Sequence, residues 1–134
     1  MTSSSHKVVA DVMNQHFHLV DGLVTVADAV KLMQQTHAQV LIIEKRDAQD
    51  EYGIVLLSDI AKKVLARNLS PDRVNIYEIM SKPALTIKSQ MQIRFCARLF
   101  DKFGLTMAPV VNKEDEIIGV INYHDLVLSG LSNL

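Results

Sequence analysis

Two rhythms of apolar and polar positions alternate along the chain, and the same order of rhythms occurs twice. In the first half a short apolar stretch, Phe17–Val20, precedes apolar positions at Val26, Ala29, Val30, Leu32 and Met33. The first stretch predicts a strand and the second set, at helical spacing, a helix ending at His37. Gln39–Glu44 and Gly53–Leu57 then read as two β-rich strands, and a last helix is expected from Ser58, a good N-cap. In the second half Ala84–Ile87 predicts the first strand. Ile93, Ala97 and Phe100, with Cys96 and Leu99 between them, predict the helix. Ser89 with Gln92 three residues on reads as its capping box, and Gly104 as its left-handed C-terminal cap. Met107–Val111 and Ile117–Ile121 follow as strands, and Asn122 as the N-cap of a last helix. Each half is thus a β-α-β-β-α unit.

The repeat holds in register. Met13 and Met80 each close a short apolar segment, and the offset of 67 places Val20 on Ile87, Val26 on Ile93 and Val40 on Met107. After one deleted residue, Gly53 falls on Gly119, Val55 on Ile121 and Asp59 on Asp125. The pattern divides the chain into a unit over 1–67, a linker over 68–75 containing the turn signal Ser70-Pro71-Asp72, and a unit over 76–134. The small sheet of either unit would leave a face uncovered, which pairing or packing of the two sheets would bury.

Composition narrows the class. The chain has 134 residues, 49% hydrophobic and 22% charged, which is ordinary globular usage. A net charge of −1, evenly spread over both halves, gives no pull toward nucleic acid or anionic lipid. Apolar runs such as Val40–Ile43 are too short to span a membrane. Cys96 stands alone, so neither an internal disulfide nor a cysteine zinc cluster can form, and a reducing cytoplasm fits. The polar start Met1–Ser5 lacks the apolar core of a signal peptide. The five glycines are too scattered for a phosphate-cradling loop, and no phosphate-loop, zinc-protease or nucleophile-elbow motif occurs. The chain is therefore read as a non-enzyme without a required cofactor. His16 and His18 share a strand face without a third ligand nearby and read as surface histidines. Gly53 and Gly119 read as backbone requirements, either a positive φ or close approach of another segment.

The element order, the two copies of Gly-h-h-x-x-x-Asp (h, apolar) and Ala108-Pro109-Val110-Val111 make the chain resemble a tandem pair of CBS domains, or Bateman module, from about Val8 to Leu131. The resemblance implies an α/β (α+β) fold of two CBS units with pseudo-two-fold symmetry. It implies an adenine-nucleotide sensor with ligand in clefts between the units, a homodimer, and a regulated protein partner of unknown identity. The length resembles the free-standing kind.

Within such a pair, the Asp at the start of the last helix holds ribose hydroxyls, and a Ser or Thr three residues earlier touches phosphate. Asp59 and Asp125 fill the first position. The second is Leu56 in one copy and Asn122 in the other, so the second copy is the better candidate. Its implied site is Thr86, Ile87, Met107, Ala108, Pro109, Asn122, His124 and Asp125. The weaker first site would use Val20, Leu41, Ile42, Ser58 and Asp59. No Arg or Lys stands between Asn122 and Asp125 or between Leu56 and Asp59, which favours an AMP-like monophosphate or a nucleoside over ATP. The alternative is a homodimeric adaptor whose nucleotide sites are degenerate, with Leu56 as its main support.

Overall fold

A computed structural model describes residues 7–132; the polar start Met1–Ser5 lies outside the described residues. The chain forms two compact units, each described separately: His16–Ala84, and Leu85–Leu134 together with Met1–Gln15.

The unit of His16–Ala84 carries β1 (Phe17–Val20), the helix α2 (Val26–Thr36), β2 (Val40–Ile43), β3 (Gly53–Leu56) and the one-turn helix α3 (Leu57–Ile60). A short helix, α1 (Val9–Val12), precedes them in the chain and belongs to the other unit. β1 pairs parallel to β2, and β2 antiparallel to β3. The parallel pair needs a crossover, and α2 supplies it. Thr25 caps α2 by accepting from the Asp28 N–H at 3.1 Å, and His37 ends it in the left-handed conformation at φ 58°. α3 runs on into a π-helical turn, Ala61–Leu65.

The unit of Leu85–Leu134 repeats the plan with β4 (Ile87–Lys88), α4 (Ile93–Phe103), β5 (Met107–Val111) and β6 (Ile117–Asn122). The order is β4-β5-β6, again parallel and then antiparallel. Gly104 ends α4 at φ 63°, a conformation that costs glycine little. The last helical segment is π-helical over Asp125–Ser129.

Several strand ends shift by one residue, and three starts differ more from the sequence expectation. The first strand of the second copy begins at Ile87 rather than Ala84 and has only two residues. The N-cap of α4 is Gln92, not Ser89. Backbone bonds explain the delay: Ser89 N–H donates to Val111 O, Ala10 N–H to Ser89 O and Val9 N–H to Met91 O. Residues 89–91 are thus tied to a strand and to the N-terminal segment before a helix can start. On α4 the buried residues are Ile93, Cys96 and Phe100, while Ala97 faces solvent. In the first copy the helix starts at Leu57 with Leu56 as N-cap, two residues ahead of the expected cap Ser58.

The compact units also cut across the repeat boundaries of 1–67, 68–75 and 76–134. Val74, Ile76 and Ile79, which lead into the second copy, are buried in one core with Val26, Leu41 and Val55 of the first. Val9 and Val12, which lead into the first copy, are buried with Ile87, Phe100 and Ile121 of the second. The exchange follows from the apolar spacing: each lead-in has two aliphatic residues three apart, and burying them needs a sheet face. Isolated bridges fasten each lead-in to an edge strand, Ser81 to Ile54 on β3 and Asn14 to Val120 on β6.

Glycine permits that approach. A Cβ on Gly53 would stand 2.6 Å from the Met80 sulfur, and one on Gly119 would stand 2.7 Å from the Met13 sulfur. Neither glycine has a positive φ. Close approach is therefore their requirement, and Met13 and Met80 are the residues that approach.

Candidate functional site

The residues at the end of β6 are brought together by register. Met107 on β5 stands opposite Asn122 on β6. Asn122 Oδ1 accepts from the Asp125 N–H at 2.9 Å, so Asn122 caps the helical start as expected. The Asp125 carboxylate is left free of its own helix. It accepts instead from the Asn14 side-chain amide, Oδ2 to Nδ2, at 2.6 Å. Asn14 is itself placed by two backbone bonds with Val120, each 2.9 Å, and Gln15 donates to Ile118 O at 2.9 Å. Tyr123, between Asn122 and His124, packs edge-on against Phe100 at 5.4 Å between centroids, which pins the helical start to α4.

Not every expected residue faces this spot. Ile87 and Ala108 are buried in the unit's core, so their side chains pack there rather than form an open wall. Pro109 is also buried. Thr86 and Met107 are partly exposed, Asn122 and Asp125 half-buried and His124 exposed. The accessible polar residues are thus Thr86, Asn122, His124 and Asp125, and Met107 stands opposite Asn122. Asn14 was not among the expected residues. Its position directly after Met13, one repeat before Ser81, was the available signal.

The equivalent end of β3 is built differently. Asp59 Oδ2 accepts from the Leu56 N–H at 2.8 Å, and Oδ1 lies 3.8 Å from Lys63 Nζ. This carboxylate closes its own helix start because Leu56 has no side-chain acceptor to offer. Ser81, in the position of Asn14, makes no side-chain bond to Asp59 among the described residues. Leu41 and Val20 are core residues, Ile42 is fully buried and Ser58 is exposed. Val20 pairs with Ile43 opposite Gly53, three residues along the sheet from the Leu56 level, roughly 10 Å away. Of the expected first-site residues, Leu41 and Ile42 pair within two positions of Leu56, and Val20 lies at the far end of the sheet. A groove of about 690 Å3 does lie at that far end, lined by Asp21, Ile43, Tyr77 and Lys82 among others, and it contains no expected site residue.

A model of the CBS domain matches the chain twice, over residues 9–66 and 76–131. The chain belongs to the CBS-domain family. Each match opens at a lead-in segment, Val9 or Ile76, so the family unit includes the segment that the fold exchanges.

Among curated relatives, the uncharacterized protein MJ0450 of Methanocaldococcus jannaschii is 33% identical over 110 residues, 81% of this chain and 59% of its own length. The chain spans about half the length of the first curated relatives it matches. A solved hexameric CBS-CP12 protein from bloom-forming cyanobacteria is 35% identical, with a TM-score of 0.87 over 93% of this chain and 72% of that one. The CBS domain pair of protein MJ0100, solved with 5'-methylthioadenosine and S-adenosyl-L-methionine, is 23% identical. Its TM-score is 0.74 over 90% of this chain and 96% of that one, a likeness of fold. Among the described residues no helix is long and apolar enough to cross a membrane.

Proposed function

We propose that this CBS pair is a regulatory module that binds an adenine nucleoside or an AMP-like monophosphate at the Asn122–Asp125 end of β6. CBS pairs are generally regulatory or binding modules. The observation that carries the reading is the difference between the two aspartates. Asp125 is held by Asn14 and owes nothing to its own helix start, whereas Asp59 spends an oxygen on Leu56 N–H. A carboxylate has about four lone-pair sites, so Asp125 keeps acceptors for the two hydroxyls of a ribose. Asn122 supplies amide donors nearby, and His124 one imidazole for a single phosphate. That MJ0100 was solved with two adenosine derivatives supports the ligand class. Binding then shifts conformation or assembly, and a protein partner reads the shift. Signalling of this kind requires different affinities for the two states.

A second reading has its own observation. With Asp59 committed to its helix, the first copy serves as an interaction surface: Leu57 and Leu65 are large apolar side chains left 57% and 78% exposed. That a neighbour at 35% identity is hexameric supports assembly, a homodimer being the simplest form.

A thermal-shift panel separates the two. It sets AMP, ADP, ATP, 5'-methylthioadenosine, S-adenosylmethionine, NAD and guanosine nucleotides against the purified chain. A ligand at a hundredfold excess over its Kd adds about 2.7 kcal/mol of stability. A rise with adenine ligands and none with guanosine ligands is the expected result. No rise with any member, together with a stable dimer by light scattering, favours the adaptor.

A further inference from the structure

The exposed side of α4 carries a row of cations beside exposed aromatic rings. Arg94, Arg98 and Lys102 recur at one-turn spacing along one row of the helix. Beside them Phe95 and Phe103 remain 39% and 53% exposed. The cations stand over these rings: Arg94 Cζ is 4.7 Å and Arg98 Cζ 5.3 Å from the Phe95 centroid, and Lys102 Nζ is 5.5 Å from that of Phe103. Among the described residues none of the three has an ion-pair partner; the acids bridged elsewhere are Asp50 and Asp59. In a chain of net charge −1 this is a local excess of positive charge set on an aromatic base, with Asp101 the one acid on the helix.

We propose that this face of α4 docks an acidic segment of another protein, one with carboxylates at one-turn intervals beside apolar side chains. Aromatic residues and arginine are the types that anchor protein interfaces, and here they already stack, so little side-chain freedom remains to be lost on binding. Facing carboxylates would meet the guanidinium forks while apolar side chains cover the outer edges of the two rings. A second copy of the chain fits less well, because a two-fold contact through α4 would set the same cations against one another. Nucleic acid fits less well too. Three cations along about 12 Å of helix fall short of six to ten phosphate contacts.

Peptide display on the intact chain tests this without presuming a sequence. Selection is run on the wild type, with counter-selection on an Arg94→Glu/Arg98→Glu variant whose buried face, Ile93, Cys96 and Phe100, is unchanged. Circular dichroism confirms that the variant is folded. The expected outcome is enrichment of net-negative peptides rich in aliphatic or aromatic residues. Their affinity, by fluorescence anisotropy, falls with salt and by about tenfold or more in the variant. The proposal is overturned by enrichment without acidic bias, by no enrichment, or by equal affinity for the variant. Tighter binding of a single-stranded oligonucleotide of matched charge, or self-association abolished in the variant, overturns it in favour of those partners.

Discussion

Asn14 and Asp125, 111 residues apart in sequence, share a half-buried hydrogen bond of 2.6 Å between amide and carboxylate. Their counterparts in the other repeat, Ser81 and Asp59, share none among the described residues. One backbone plan thus carries two electrostatic arrangements. The difference traces to the residue three before each aspartate. Asn122 can cap a helix with its side chain and Leu56 cannot, so Asp59 must reach back and Asp125 need not.

Removing the Asn14 amide should be felt in stability as well as in binding. A hydrogen bond to a charged group contributes about 1.5–3 kcal/mol. Asn14→Ala is expected to lose an amount in that range in urea denaturation, and Ser81→Ala well under half as much. Equal effects from the two substitutions would mean that the Asn14 bond is not a distinguishing feature of its unit.

Gly53→Ala and Gly119→Ala are both expected to destabilise. The new Cβ at 53 meets the Met80 sulfur at 2.6 Å and Ile43 Cβ at 3.2 Å. At 119 it meets the Met13 sulfur at 2.7 Å and the Asn14 backbone oxygen at 3.2 Å. Overpacking costs about 1–3 kcal/mol. Adding Met13→Ala should recover part of the Gly119→Ala loss. Thermal denaturation of the single and double variants checks this, and purely additive losses would contradict the close-approach account.

Cys96 is buried on α4, and loss of hydration pushes its thiol up to about 11. At pH 8 its thiolate fraction should be about a hundredfold below that of an unperturbed thiol. Alkylation by iodoacetamide is therefore expected to be slow in the native chain and to become fast in guanidinium. Rapid native labelling, followed by mass spectrometry, would show that the α4 core opens readily.

Asp50 accepts from Lys82 Nζ at 2.6 Å and from Arg46 N–H at 2.8 Å. Lys82 above all holds its carboxyl well below the usual carboxylate range. A depressed folded pKa stabilises the native state above the unfolded value, about 3.9, and that contribution is lost as pH falls through the folded one. The stability gap between wild type and Asp50→Asn should stay constant from pH 7 to about pH 5 and narrow below about pH 4. Urea titrations at pH 6, 4 and 3 measure it; a gap that closes above pH 5 would refute the pairing.

Element order and register were legible because they rest on local periodicity. Helical spacing marked α2 and α4, and paired glycines and aspartates aligned the two copies. His37 and Gly104 end their helices where expected, and Gly104 takes the left-handed conformation expected of it. Long-range pairing was not legible in this way. The start of α4 was misplaced because Ser89 is a good cap locally but is claimed by Val111 and Ala10. The exchange of lead-ins was hidden because Val9 and Ile76 read only as apolar segments, and nothing local says which sheet buries them. Asn14 escaped for the same reason. Val20 matches Ile87 in the repeat, yet in the fold it lies at the end of the sheet away from Asp59.

The central claim is that ligand binding depends on Asp125 and not on Asp59. Titration calorimetry of 5'-methylthioadenosine and AMP against wild type, Asp125→Asn and Asp59→Asn tests it most directly. Asp125→Asn keeps an acceptor for Asn14 while removing the charge, so a folded variant is expected. The account predicts binding to wild type, a loss of about tenfold or more in Asp125→Asn, and little change in Asp59→Asn. Undiminished binding in Asp125→Asn, or loss confined to Asp59→Asn, would contradict it.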